Sequence, residues 1–145
     1  AIVKKNLSER AEKLGNYFLE GLKSLKDRYS IIKEVRGKGL LIGIEFEQPK
    51  SGILNTITGG AVNKFYGEFT GAIVAGELLN KHKIITAYTL NNPNVIRLEP
   101  PLIIEKEDID YALNALEDIL SKNSGFLNIT VNAAKTVFGS IFSKK

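Results

Sequence analysis

Arg97 is the residue of this chain whose setting is hardest to explain by folding alone. It stands between Ile96 and Leu98 in the run Val95-Ile96-Arg97-Leu98, just before Pro100-Pro101. In a strand, alternate residues share a face, so Arg97 lies on the side of Val95 and Glu99. If helices cover the sheet, a guanidinium there needs a carboxylate partner, because an unpaired buried charge is too costly. Two readings stay open. One is a salt bridge to Glu99 or to an acid on another strand. The other is a fork that grips a ligand carboxylate through two parallel hydrogen bonds.

The remaining groups make weaker cases. Arg36 precedes Gly37 and reads as a surface hairpin arginine. His82, the single histidine, lies between Lys81 and Lys83 and reads as a solvated imidazole. Glu45 and Glu47 share a strand face with no nucleophile placed beside them, and an exposed polar face explains them. Gly37, Gly39 and Gly43 superficially suggest a dinucleotide loop. That loop must open a helix whose N-terminus meets the pyrophosphate, whereas these glycines lead into a strand. Asn6-Leu7-Ser8 and Asn128-Ile129-Thr130 read as chance matches to glycosylation acceptors.

Composition excludes further chemistry. Zero cysteines remove disulfides, thiolate metal sites and cysteine nucleophiles, and one histidine removes a multi-histidine metal centre. No nucleophile, general base, metal site or phosphate loop assembles from the chain, so no catalytic, cofactor-binding or metal-binding residue is assigned. The 145 residues are 43 % apolar and 25 % charged, enough for one folded domain with a core. The net charge of +4 is dispersed. Residues 1–36 carry nine Lys/Arg against five acids, and residues 101–145 carry five against six. The lysines of the first helix alternate with Glu9, Glu12 and Glu20, a solvated face rather than a nucleic-acid stripe. No run of about 18 apolar residues predicts a membrane span. The chain starts at Ala1 and contains no methionine, which a piece of a longer protein and a processed natural terminus would both show.

Several elements must position these groups. Leu7, Ala11, Leu14, Phe18, Leu22 and Leu25 form one helical stripe, with Asn6 and Glu9 in capping-box positions and a stop near Arg28–Ser30. Ile31, Ile32 and Val35 lead through a Gly37-Lys38-Gly39 turn into an alternating strand. There Leu40, Ile42, Ile44 and Phe46 face one way, and Leu41, Gly43, Glu45 and Glu47 the other. Residues 48–69 read as a long loop. Thr70 caps a helix over Ala72–Asn80 that is apolar nearly all round, the pattern of a helix buried between layers. Ile84–Ala87 and Val95–Leu98 read as short strands, the second stopped by its prolines. A helix starts near Glu105 and buries Ile109, Leu113, Leu116 and Leu120. Residues 123–145 form an amphipathic tail, read as docking on its own domain or a sister subunit rather than on a membrane surface. The expected fold class is α+β: a small three- to four-stranded, largely antiparallel sheet with helices packed on it.

Two stretches then resemble a known family. Val35-Arg36-Gly37-Lys38-Gly39-Leu40-Leu41-Ile42-Gly43-Ile44-Glu45-Phe46 is similar to the hairpin in the small C-terminal domain of class III pyridoxal-phosphate aminotransferases. Thr89-Leu90-Asn91-Asn92 and Val95-Ile96-Arg97-Leu98-Glu99-Pro100-Pro101-Leu102 resemble the strand near that family's C-terminus. The wording is nearest to the putrescine aminotransferase branch, with ornithine and acetylornithine aminotransferases next. The resemblance implies a fold-type-I small domain over 1–122, with loop 48–69 longer and richer in glycine than the family's.

It further implies a transaminase that moves an amino group from a diamine or ω-amino acid to a 2-oxo acid such as 2-oxoglutarate. Pyridoxal phosphate, its lysine and its phosphate loop would belong to a large domain outside this chain, so this piece alone would be inactive and without cofactor. The implied partners are that large domain, the amino donor and the 2-oxo acid, in a cytoplasmic homodimer, with no nucleic acid and no membrane. Carried over residue by residue, Arg97 alone gains a role: it binds a substrate carboxylate. The rival is a free-standing α+β binding or regulatory module without catalysis. A domain that normally packs against a larger one should expose a contiguous apolar patch, and a self-sufficient module should not.

Overall fold

The computed structural model describes residues 6–47, 61–89 and 91–121; for 61–68 and 88 it describes the backbone only. The elements run α1 (Leu7–Arg28), β1 (Ile32–Lys38), β2 (Leu41–Phe46), α2 (Ala61–His82), β3 (Ala87–Tyr88), β4 (Val95–Leu98) and α3 (Lys106–Leu120). The four strands form one antiparallel sheet in the order β1-β2-β4-β3. Helices cover one face, so the α+β expectation holds.

Period two along β2 builds the sheet side of the core. Ile42, Ile44 and Phe46 are buried with Leu40 before them, and Ile96 and Leu98 of β4 join them. The registers Ile42↔Leu98 and Ile44↔Ile96 place these side chains side by side on the inner face. Phe18, Leu22 and Leu25 of α1, Val74 and Leu78 of α2, and Ile109, Leu116 and Ile119 of α3 close over them in one cluster. Full burial of each such side chain is worth roughly 1.5–3 kcal/mol. Slipping β2 by one residue would bring Glu45 inward and Ile44 outward, so this core also holds the register.

Polar clamps lock α1 against α3 along its length. Arg10 donates to the carbonyl of Ile104 at 2.6 Å and pairs with Glu105 at 2.9 Å. Tyr17 donates to Asp110, which also takes a hydrogen bond from Lys106 at 2.8 Å, while the Lys106 ammonium lies 4.5 Å from the centre of the Tyr17 ring. Lys106 and then Tyr17 hold the Asp110 carboxyl below its ordinary value. Arg28 pairs with Glu117 near the other end.

Several local expectations are corrected. Asn6 heads α1 in a left-handed conformation and donates to Glu9, so the side-chain cap does not form. The capping box occurs instead on α3, between Glu105 and Asp108. The hairpin turn is only Gly39-Leu40, since Lys38 already pairs with Leu41. Gly39 has φ +56°, at the first position of a two-residue turn where positive φ favours glycine. Residues 61–69, expected within loop 48–69, are helical; the rest of that loop and the tail 123–145 lie outside the described residues. Nor is α2 buried all round, for Phe69 and Leu79 are exposed. The strand expected at Ile84–Ala87 is confined to Ala87–Tyr88, because α2 runs on to His82. It ends with Lys83 at φ 57°, its N–H bonded to the carbonyl of Leu79 and that of Ile84 to Leu78, a left-handed (αL) stop that spends Ile84 on the helix end.

The hairpin reaches α1 through its turn. A Cβ on Gly15 would stand 2.1 Å from the carbonyl oxygen of Gly39, so the turn can lie on the helix only because Gly15 lacks a side chain. Alanine would favour the helix by about 1 kcal/mol, but here it must push the hairpin away. Gly15→Ala is expected to lower unfolding free energy by about 2–3 kcal/mol. Urea denaturation checks this, and an unchanged or higher midpoint would contradict it.

Candidate functional site

The outer face of the sheet carries the charged groups. Arg36, Gly43, Arg97 and Ala87 stand in one cross-strand row over β1, β2, β4 and β3. The two arginines are therefore two strands apart, about 10 Å between Cα positions, with only glycine between them. Beside this row, Glu34 stands opposite Glu45, and Glu45 opposite Val95.

The two arginines differ in how firmly they are held. Facing carboxylates such as Glu34 and Glu45 repel, and cations neutralise them. Arg36 donates to Glu34 at 2.8 Å and to Glu45 at 3.0 Å, and Lys33 donates to Glu45 at 2.7 Å. A register irregularity between Ile32 and Glu34 lets Lys33 and Glu34 both lie exposed, the re-aiming that a β-bulge provides. Glu45 is thus only 14 % exposed at its side chain. Hydrogen bonds from Lys33 and then Arg36 hold its carboxyl below the ordinary value. The expected exposed polar face is corrected to a covered carboxylate with two cations on it.

Arg97 is looser. Its Nε lies 3.3 Å from Oε1 of Glu99, two residues further along the chain, and the side chains are 45 % and 42 % exposed. Among the described residues, no other ion pair engages Arg97. An exposed pair of this kind contributes about 0–1 kcal/mol, so a stronger carboxylate partner can displace Glu99 at little cost. Of the two readings open for Arg97, the salt bridge to Glu99 is present, and its exposure leaves the second available. The burial cost does not arise, because Arg97 faces away from the helices.

His82 is not a solvated imidazole. Its side chain is 19 % exposed, with Nε2 3.1 Å from Asp118 on α3 and the ring edge-on to Tyr111, whose hydroxyl donates to the His82 carbonyl. It ties α2 to α3 and lies apart from the arginine row. Among the described residues, no group of three metal-binding side chains comes together.

Beyond Arg97 the chain turns at Glu99-Pro100-Pro101, and exposed apolar side chains gather there. Leu41 and Leu102 line a shallow hollow on one side of Pro100. Ile85, 85 % exposed, and Tyr111 line a second hollow against the same proline with Ile104. Leu41 and Tyr111 thus belong to one apolar collar around the proline corner, next to the arginine row.

Three comparisons bear on what this arrangement belongs to. The family model "Aminotransferase class-III" matches residues 1–120. The chain belongs to the class III aminotransferase family. It is 34 % identical over 121 residues to an acetylornithine aminotransferase of Caldanaerobacter subterraneus subsp. tengcongensis, covering 83 % of this chain and 25 % of that protein. It is 36 % identical over 125 residues to a putrescine aminotransferase of Pectobacterium atrosepticum, covering 86 % of this chain and 22 % of that protein. The crystal structure of acetylornithine aminotransferase from Elizabethkingia anophelis superposes with a TM-score of 0.62 at 30 % identity, over 82 % of this chain and 25 % of that one. The chain thus spans about a quarter of the length of these class III relatives.

The family's cofactor, pyridoxal phosphate, needs a lysine that can lose its proton, and burial promotes that loss. Every lysine whose side chain is described is exposed, on a helix, just past the end of α2 or on β1, and none shares the row of Arg97. The described residues of this class III chain do not fit the cofactor.

The row of Arg36, Gly43 and Arg97 was missed from sequence because cross-strand partners depend on register. The signal was present: Gly43 and Arg97 each occupy the polar parity of an alternating strand. The covered state of Glu45 gives a direct check. A carboxyl held below its ordinary value of 4.5 adds stability above that value and loses it as pH falls through the depressed one. Glu45→Gln is expected to cost about 1 kcal/mol at pH 7, with the two stability curves converging below about pH 4. Denaturant titrations from pH 3 to 7 measure both, and a constant gap across that range would contradict the assignment.

Proposed function

We propose that this chain is the small domain of a class III aminotransferase in which Arg97 receives the carboxylate of a 2-oxo acid such as 2-oxoglutarate. Residues 1–122 make that domain and 123–145 a tail. The observation that carries the reading is the half-exposed Arg97, held by one weak ion pair beside Gly43, while Arg36 is saturated by two carboxylates. A planar guanidinium takes a carboxylate in bidentate form, which fixes the acid's orientation as well as its charge. Glu99 keeps the site neutral until the acid arrives and then turns toward solvent.

The amino donor is a diamine or ω-amino acid of the putrescine, ornithine or acetylornithine type, a choice supported by the names of the relatives. Pyridoxal phosphate and its lysine come from the large domain, in a homodimer. That domain seats on the apolar collar at Pro100-Pro101. Both the collar and the quarter-length match support a partner domain over a free-standing module.

In the complete enzyme, Arg97→Ala is expected to raise KM for the 2-oxo acid by about tenfold or more, from the loss of a charged hydrogen-bond pair. Arg97→Lys should recover part of this, because lysine keeps the charge and loses the fork. Steady-state kinetics against the acceptor decide it. An unchanged KM in folded Arg97→Ala protein would make Arg97 structural and overturn the reading.

A further inference from the structure

Among the described residues, nothing requires Gly43 to be glycine. It lies inside β2, where glycine weakens a strand because it packs nothing and loses more backbone freedom on folding. Elsewhere the fold demands the residue: a Cβ would stand 2.1 Å from the Gly39 carbonyl oxygen at Gly15, 2.4 Å from that of Pro93 at Gly71, and 2.6 Å from that of Leu41 at Gly37. At Gly43 the nearest atoms to such a Cβ are Cγ1 of Val95 at 3.8 Å and Cγ and the carbonyl oxygen of Arg36 at 3.9 Å, ordinary contacts. Its φ is not in the positive region that glycine alone adopts freely. A methyl group fits, and nothing among the described residues asks for its absence. Gly76 is also in open space, but it stands on α2, in the other layer from the arginines.

A methyl at 43 would project on the outer face directly beside Arg97. Side chains paired across antiparallel strands begin only about 4.5–5.5 Å apart. The partner on the other side of Arg97 is Ala87, so the guanidinium is flanked by the two smallest residues. Glycine in a strand interior marks a site where a ligand or another backbone comes close. Here the group that such a ligand would meet is the loosely held guanidinium.

We propose that Gly43 is a positioning residue for the acceptor: its bare surface lets the Arg97 side chain swing off Glu99 and lets a carboxylate reach the terminal nitrogens flat against β2. The inference rests on the reading of Arg97 above and adds that strand β2 sets how large a group can sit beside the bound carboxylate.

The test uses Gly43→Ala and Gly43→Val in the complete cofactor-loaded enzyme, with Arg97→Ala alongside. Gly43→Ala is expected to raise KM for the 2-oxo acid about fivefold and Gly43→Val more. Turnover number and KM for an amine donor without a carboxylate should stay within about twofold, and the melting temperature should stay level or rise. A role in folding alone would lower the melting temperature and leave the acceptor KM where it was, and that result overturns the proposal. Unchanged acceptor KM in both Gly43 variants, with a raised KM in Arg97→Ala, also overturns it while the reading of Arg97 survives. Unchanged KM in Arg97→Ala removes both.

Discussion

One face of the β2–β4 pair is buried completely, and where the charges of the sheet can go follows from that. Ile42, Ile44, Ile96 and Leu98 face α1, α2 and α3 with almost no exposure. Strict alternation then sends Gly43, Glu45, Arg97 and Glu99 to the opposite face. Arg97 is not a core residue that tolerates a charge. It is an outer-face residue whose neighbours in sequence happen to be core, and the same apolar contacts that stabilise the fold aim its side chain away from it.

The outer face sorts its cations by cost. Arg36 and Lys33 are needed where they are, because Glu34 and Glu45 oppose one another and Glu45 is largely covered. Removing either cation leaves carboxylate charge unbalanced in a partly dry setting. Among the described residues nothing comparable binds Arg97, whose half-exposed partner Glu99 stands two residues further along the chain. The proposed uptake of one carboxylate and release of another calls for a cation of the second kind, able to exchange partners without disturbing the sheet.

Much of this was legible in the sequence because local rules and global packing agree. The stripe from Leu7 to Leu25, the alternation from Leu40 to Glu47 and the helix after Glu105 each obey one period without interruption, and each formed where expected. Failures occurred where tertiary contact overrides the local signal. His82 reads as solvated among lysines, yet Asp118 and Tyr111 on a distant helix enclose it. Glu45 reads as exposed, yet a bulge in β1 aims Lys33 at it. Glycine-rich composition suggested a loop through residue 69, where the backbone is helical from Ala61. The site itself was half visible: composition and parity single out Arg97, but its neighbour Gly43 is defined by register alone.

The most direct test is a structure of the complete enzyme with a 2-oxo acid bound. The account predicts both terminal nitrogens of Arg97 within about 2.7–2.9 Å of one carboxylate. Glu99 should have turned away, with Arg36 still on Glu34 and Glu45. A bound acid held by other groups, with Arg97 still paired to Glu99, would contradict it.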